Sequence, residues 1–370
     1  MRRASDSSVE KTIKRVVNGG PRPVGSAALE ITIAAVEESL ELLGLRTCAH
    51  EFPCVRWQAR SRPRLAIEGL GEVPCEAMIG SSEGSFSGCL ESHGSYSIWG
   101  MYFWKAYRVR AEDGRLAAHV LARPDGPAIP QPVPMGSPSV PHLSIGGEWD
   151  EALDRCAATR CRAEGWLEAS ADEVSSRNLR AWKGEDRLLN GRIILVTAHC
   201  DTVPGSPGAY DNAGGVAALL GLAELLAEGE LPKGVQLLFT SGEEQHLAGS
   251  RAFVKELDAA GRLSNVTFCL NLDGTGRGQI LEAWVGPGAL AERIHPALRT
   301  EEVRFVSPPP PSGDHYAFWK RGIPAVMLTY NDSEILHRPE DVLDPRKTRN
   351  AERMIELATN VISEMATGGS

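Results

Sequence analysis

Four strongly apolar stretches constrain this chain most: RIILVTA (192–198), VQLLFTS (235–241), VTFCLNL (266–272) and PAVMLTY (324–330). A run of that length with no polar alternation is what a strand buried on both faces looks like. The segments between them carry a helical period instead, as in GGVAALLGLAELLAEG (214–229) and AGSRAFVKELDAAG (248–261). Strands joined through helices can lie parallel, because each crossover is long enough to return the chain to the same edge. The expectation is an α/β fold with a mostly parallel central sheet flanked by helices on both faces. QILEAWV (279–285), a helix near 289–299 and the C-terminal TRNAERMIELATNVISEMA extend the alternation. Ahead of it, SAALEITIAAVEESLELL (26–43) sets Leu29, Ile33, Val36, Leu40 and Leu43 on one face, with Ser26 as N-cap and Gly44 beyond the end.

At 370 residues the chain exceeds one ordinary core. From about 60 to 180 it changes to short β-prone pieces, a helix-like FWKAYRVRAEDG (103–114) and the proline-rich RPDGPAIPQPVPMGSPSVP (123–141). The division this suggests is a catalytic domain from 1–58 and 182–370, with a smaller β-rich subdomain inserted at 59–181. A content of 42% hydrophobic and 24% charged residues is that of a globular protein. A net charge of -9 without a basic run speaks against nucleic acid or an anionic membrane as partner. MRRASDSSVEKTIKRVVNGG lacks the apolar core of a signal peptide, and no 18-residue apolar run occurs after it, so the expected location is cytoplasmic. Eight cysteines without a CxxC pair read as reduced thiols.

Each apolar run is succeeded by ionisable residues: His199 after the first, Glu243 and Glu244 after the second, Asp273 after the third, with His337 beyond the last. Ligands of open α/β sheets gather outside the carboxyl ends of the strands. Two imidazoles and several carboxylates suit zinc or a divalent neighbour such as cobalt or manganese. Five ligands are too many for one zinc, but with Asp211 as a bridge two ions fit: one on His199, Asp211 and Asp273, the other on Asp211, Glu244 and His337. Such a pair favours a bridging hydroxide at neutral pH. Of the adjacent glutamates, Glu244 is assigned as ligand and Glu243 as general base, although geometry alone would also allow the reverse. Asp201 is read as the carboxylate that orients His199. Alone, Asp211 would pass for a helix cap and His337 for a surface histidine; the joint order carries the signal. His246 is left structural because no HExxH is present, and Cys200 is taken as a bystander.

HCD, GAYDNAGG, SGEEQHLAGS, NLD and HRPED, in that order and spacing, resemble the co-catalytic di-zinc aminopeptidase family, whose relatives include bacterial leucyl aminopeptidases, glutamate carboxypeptidase, the transferrin receptor and glutaminyl cyclases. The resemblance covers roughly 15–55 and 185–365, and it implies the ligand and base roles given above. SGDHYAFWKRGIPAV adds Asp314 as a supporting residue, with His315 as a possible neighbour of site or substrate. The middle region resembles the protease-associated domain of that family. The implied activity is exopeptidase cleavage of N-terminal peptide or aminoacyl amide bonds. The alternatives are a carboxypeptidase or N-acyl amino acid amidohydrolase, for which Arg338 would anchor a carboxylate, and a single-zinc glutaminyl cyclase. A peptide or aminoacyl small molecule is the expected partner; the oligomeric state is left open.

Overall fold

The computed structural model describes residues 6–98, 102–134 and 139–367. The chain forms two compact units, Met1–Cys54 with Val174–Ser370, and Val55–Glu173. The first is built on an eight-stranded sheet: β1 (Arg46–Ala59), β2 (Ala169–Trp182), β3 (Ile193–His199), β4 (Val235–Thr240), β5 (Val266–Thr275), β6 (Leu281–Gly286), β7 (Val303–Val306) and β8 (Ala325–Tyr330), in the order β1-β2-β4-β3-β5-β8-β6-β7. The four expected strands lie together at its centre and are parallel to one another. Outside them β2 pairs with β4, and β6 with β8, antiparallel, so the sheet is mixed with a parallel heart.

Helices cover both faces, and β3 shows why its sequence is apolar throughout. Ile194, Val196 and Ala198 enter one core cluster, while Ile193 and Leu195 enter another. The helices are α1 (Asp6–Val17), α2 (Ala27–Leu42), α3 (Gly214–Glu228), α4 (Ala248–Ala259), α5 (His315–Trp319) and α6 (Pro345–Thr367), with shorter turns between. The first cluster takes Val216, Leu219 and Leu222 of α3 with Met354 and Val361 of α6; the second takes Phe253 and Val254 of α4 with Phe318 of α5. In α2 the Ser26 side chain accepts the Leu29 N–H at 3.1 Å, so the cap lies where its sequence signal puts it.

The second unit is a separate eight-stranded sheet that carries, among the described residues, the α-helix Asp150–Ala158 after a short 3-10 turn at Gly147–Trp149. Its strand pairings are antiparallel except for Leu116–Ala122 with His142–Ile145. FWKAYRVRAEDG, expected to be helix-like, belongs to the strand Tyr102–Arg110. Pairing on both sides, with Gly84–Ile98 and with Leu116–Ala122, overrides a local charge pattern that resembles a helix. Helix α1 and strand β7 lie in stretches where no element was expected.

Candidate metal centre

Because β3, β4 and β5 are parallel and in register, His199 stands beside Thr240, and the residues just beyond each strand meet at one rim. The chain from His199 to α3 must then fold back on itself. Arg22, fully buried, clamps this return: its Nε donates to the Cys200 carbonyl at 2.9 Å, Nη1 to the Pro207 carbonyl at 2.7 Å and Nη2 to the Gly208 carbonyl at 3.2 Å. Asp341, also fully buried, accepts the N–H groups of Tyr210 at 2.7 Å and Asp211 at 3.0 Å, which fixes the Asp211 backbone. The glycines of the adjoining DNAGG are required by close packing on β5. A Cβ on Gly214 would lie 1.7 Å from the Thr275 hydroxyl, and one on Gly215 2.5 Å from the Leu272 carbonyl.

At the rim Asp211 faces two histidines with its two oxygens. Oδ1 lies 3.0 Å from His199 Nε2, and Oδ2 lies 3.3 Å from His337 Nε2. Asp273 Oδ1 completes the first group at 3.3 Å from His199 Nε2, and Glu244 Oε2 completes the second at 3.0 Å from His337 Nε2. Among the described residues, ligand atoms converge within 4.8 Å in these two triads, His199–Asp211–Asp273 and Asp211–Glu244–His337. Such spacings are those of neighbouring ligands each about 2 Å from a shared ion.

The electrostatics also fit cations. Burial alone would pull both imidazoles down, yet the surrounding carboxylates outweigh it: His337 is raised to about 10 by Glu244 and Asp211, and His199 is raised well above its ordinary value by Asp273, Asp201 and Asp211. Burial pushes the Glu244 carboxyl up to about 7, and its Oε1 is buried with no hydrogen-bond partner. A cluster that holds imidazolium so strongly, and leaves a carboxylate oxygen unpaired, has the charge and the open valence for divalent ions.

Asp201 braces His199, but chiefly through its main chain. Its carbonyl lies 3.1 Å from His199 Nδ1, whereas the nearer carboxylate oxygen is at 3.6 Å. The carboxylate is occupied by the N–H groups of Glu243 and Glu244, both at 3.2 Å, so it ties the end of β3 to the turn after β4. Glu243 stands apart from both triads and accepts the Gly313 N–H at 3.2 Å. Asp314 lies beneath, accepting the Thr240 hydroxyl. His315 is fully buried at the start of α5 and belongs to neither triad; burial lowers it to about 3. Arg338 is committed to the Glu334 carbonyl at 2.6 Å and to Glu340 at 3.1 Å. Cys200 is turned into the core, and Trp319 packs beside Gly286 and Tyr316. Arg22 and Asp341 went unassigned in the sequence, although Asp341 closes the HRPED phrase and Arg22 sits in PRPVGS. An isolated arginine before a helix has no pattern to mark it as buried.

The model of peptidase family M28 matches residues 179–362, which include every member of both triads. Through these residues the chain belongs to peptidase family M28. Over 239 residues it is 28% identical to Aminopeptidase YwaD of Bacillus subtilis (strain 168), a match that spans 61% of this chain and 51% of that protein. The M28 chain thus spans about half the length of that curated relative. The fold is that of the aminopeptidase from Aneurinibacillus sp. strain AM-1, with TM-score 0.75, 20% identity, and coverage of 97% of this chain and 93% of the other. It is likewise that of BSAP, a zinc aminopeptidase from Bacillus subtilis, with TM-score 0.71, 20% identity, and coverage of 97% and 95%. Among the described residues no helix is long and apolar enough to cross a membrane.

Proposed function

We propose that this M28 chain is a two-metal aminopeptidase that removes N-terminal residues from peptides or aminoacyl amides. The observation that carries the proposal is Asp211, whose two oxygens each face one histidine and so join two complete triads. Zinc ions held by His199, Asp211 and Asp273 and by Asp211, Glu244 and His337 would supply Lewis acidity and lower the pKa of a bound water. His199 Nδ1 donates to the Asp201 carbonyl, which leaves the Nε2 lone pair pointing at the triad. Glu243, outside the ligand set and next to it, takes the proton of the attacking water on its carboxylate and returns it to the leaving amine. Its contact with the Gly313 N–H aims the carboxylate.

The excess of carboxylates favours a substrate that brings a free ammonium group. The cation that a carboxypeptidase or amidohydrolase would need, Arg338, is already engaged by Glu340. Two complete triads speak for two ions, where a glutaminyl cyclase uses one. We assign the β-rich unit, Val55–Glu173, as a protease-associated-like insertion. The test is metal analysis of the purified protein together with a panel of free and N-blocked aminoacyl amides and dipeptides. About two zinc ions per chain and turnover confined to free amines are expected. Preferential cleavage of N-blocked substrates, or full activity with one ion per chain, would overturn the proposal.

A further inference from the structure

The helix Asp150–Ala158 of the second unit ends in a motif that brings two cysteines together. Arg160 is left-handed, with φ 56°, and its N–H donates to the Ala157 carbonyl at 3.2 Å, while the Cys161 N–H donates to the Cys156 carbonyl at 2.9 Å. These two bonds define a Schellman cap, in which the side chains of the third-last helical residue and the second residue past the cap face each other, ordinarily as an apolar contact. Here those residues are Cys156 and Cys161. Cys161 lies close enough to raise the Cys156 thiol, Thr159 Oγ1 lies 3.3 Å from Cys161 Sγ, and Cys156 Sγ lies 4.0 Å from the Glu68 carbonyl. Cys156 is 7% exposed and Cys161 half-buried, so one sulfur meets solvent and the other waits behind it. Burial and the neighbouring thiol push Cys156 up to about 11, as befits a partner that reacts second.

We propose that Cys156 and Cys161 form a redox-active dithiol that closes to an intramolecular disulfide in exchange with small-molecule disulfides such as oxidised glutathione. The Cys161 thiolate attacks one sulfur of the reagent, whose S–S bond breaks and releases one glutathione thiolate. The Cys156 sulfur, after giving its proton to water, attacks the Cys161 sulfur of the mixed disulfide and displaces the second glutathione. The two protein thiols are thereby oxidised and the reagent is reduced to two thiols. The cap already brings the two residues to the same helix end, so closure is a local event. The site is independent of the metal centre and of the activity proposed for it.

The test uses the full chain, equilibrated with oxidised glutathione, quenched by alkylation and digested with trypsin. Cleavage after Arg155, Arg160 and Arg162 leaves CAATR joined to CR only if the disulfide forms. At equal reagent, oxidation of this pair should exceed by about tenfold that of Cys48, an exposed single thiol. The variant Cys156→Ser should instead retain a glutathione adduct on Cys161. A persistent adduct on Cys161 in the unsubstituted protein, or alkylation of both thiols at a reagent level that modifies Cys48, would overturn the proposal. Cys161→Ser supplies a second control, in which Cys156 should acquire neither adduct nor partner.

Discussion

Each unit of this protein is built on a sheet of eight strands, yet among the described residues only the first gathers carboxylates and imidazoles into triads. In the first sheet the central strands β4, β3, β5 and β8 run parallel, so all their carboxyl ends open on one rim. The residues at or just past each strand's end are delivered to the same place, and they include His199, Glu243, Glu244 and Asp273. In the second unit consecutive strands are largely antiparallel, and successive strand ends alternate between opposite rims. Its charges form scattered surface pairs such as Arg64–Glu72, Arg56–Asp172 and Lys105–Asp154. Pairs of that kind contribute little stability and no site. Strand direction, more than composition, decides where chemistry can concentrate.

The most damaging change on the rim should be Asp211→Ala, because it removes a ligand from both triads at once. We expect metal content to fall for both ions and turnover to drop at least about 10^3-fold, since residues that act as a unit fail together. Retention of two ions by this variant would show that Asp211 is not the bridge. Next in size is Glu243→Gln, which keeps shape but removes the carboxylate proposed to carry the proton. Metal content should stay unchanged while kcat falls about 10^2- to 10^4-fold. If both metal and turnover survive, another group moves the proton.

This contrast also explains what the sequence made legible. The candidate ligands other than Asp211 were readable because each comes after an apolar run, and because a parallel sheet converts that serial order into spatial convergence. The groups that support the ligands were harder to see. Arg22 acts through carbonyls of residues more than 170 positions away, and nothing local in PRPVGS distinguishes a buried guanidinium from an exposed one. Asp201 was recognised as a brace, but its carbonyl contacts the imidazole more closely than its carboxylate does, a choice made by backbone geometry. In the second unit, aromatic and basic residues at 103–110 fall on both faces of a strand, and only pairing on both sides separates that pattern from a helix.

A change confined to the second unit tests whether the two regions are as separable as their topologies. Gly88 lies where the neighbouring strand approaches so closely that a Cβ would stand 1.9 Å from the Arg110 carbonyl. Backbone on both sides must shift to admit Gly88→Ala, at a cost of about 1–3 kcal/mol in thermal or urea unfolding. Zinc per chain should remain at the unsubstituted level. A parallel loss of zinc would mean that order in the β-rich sheet is needed to assemble the rim.

The smallest effect should come from the residue that sits between two members of the site. Cys200 separates His199 from Asp201, is fully buried, and faces the apolar cluster that also holds Ala198 and Ala213. Burial raises its thiol to about 12, and the residue belongs to neither triad. Its contribution to the rim is made by the backbone: the N–H donates to the Thr240 carbonyl at 2.8 Å, and its own carbonyl accepts Arg22. Cys200→Ala keeps both bonds and removes one buried sulfur, a loss of about 1 kcal/mol by the cost of small core truncations. Metal content and turnover should match the unsubstituted protein, whereas loss of zinc in this variant would move the site's boundary to include the thiol.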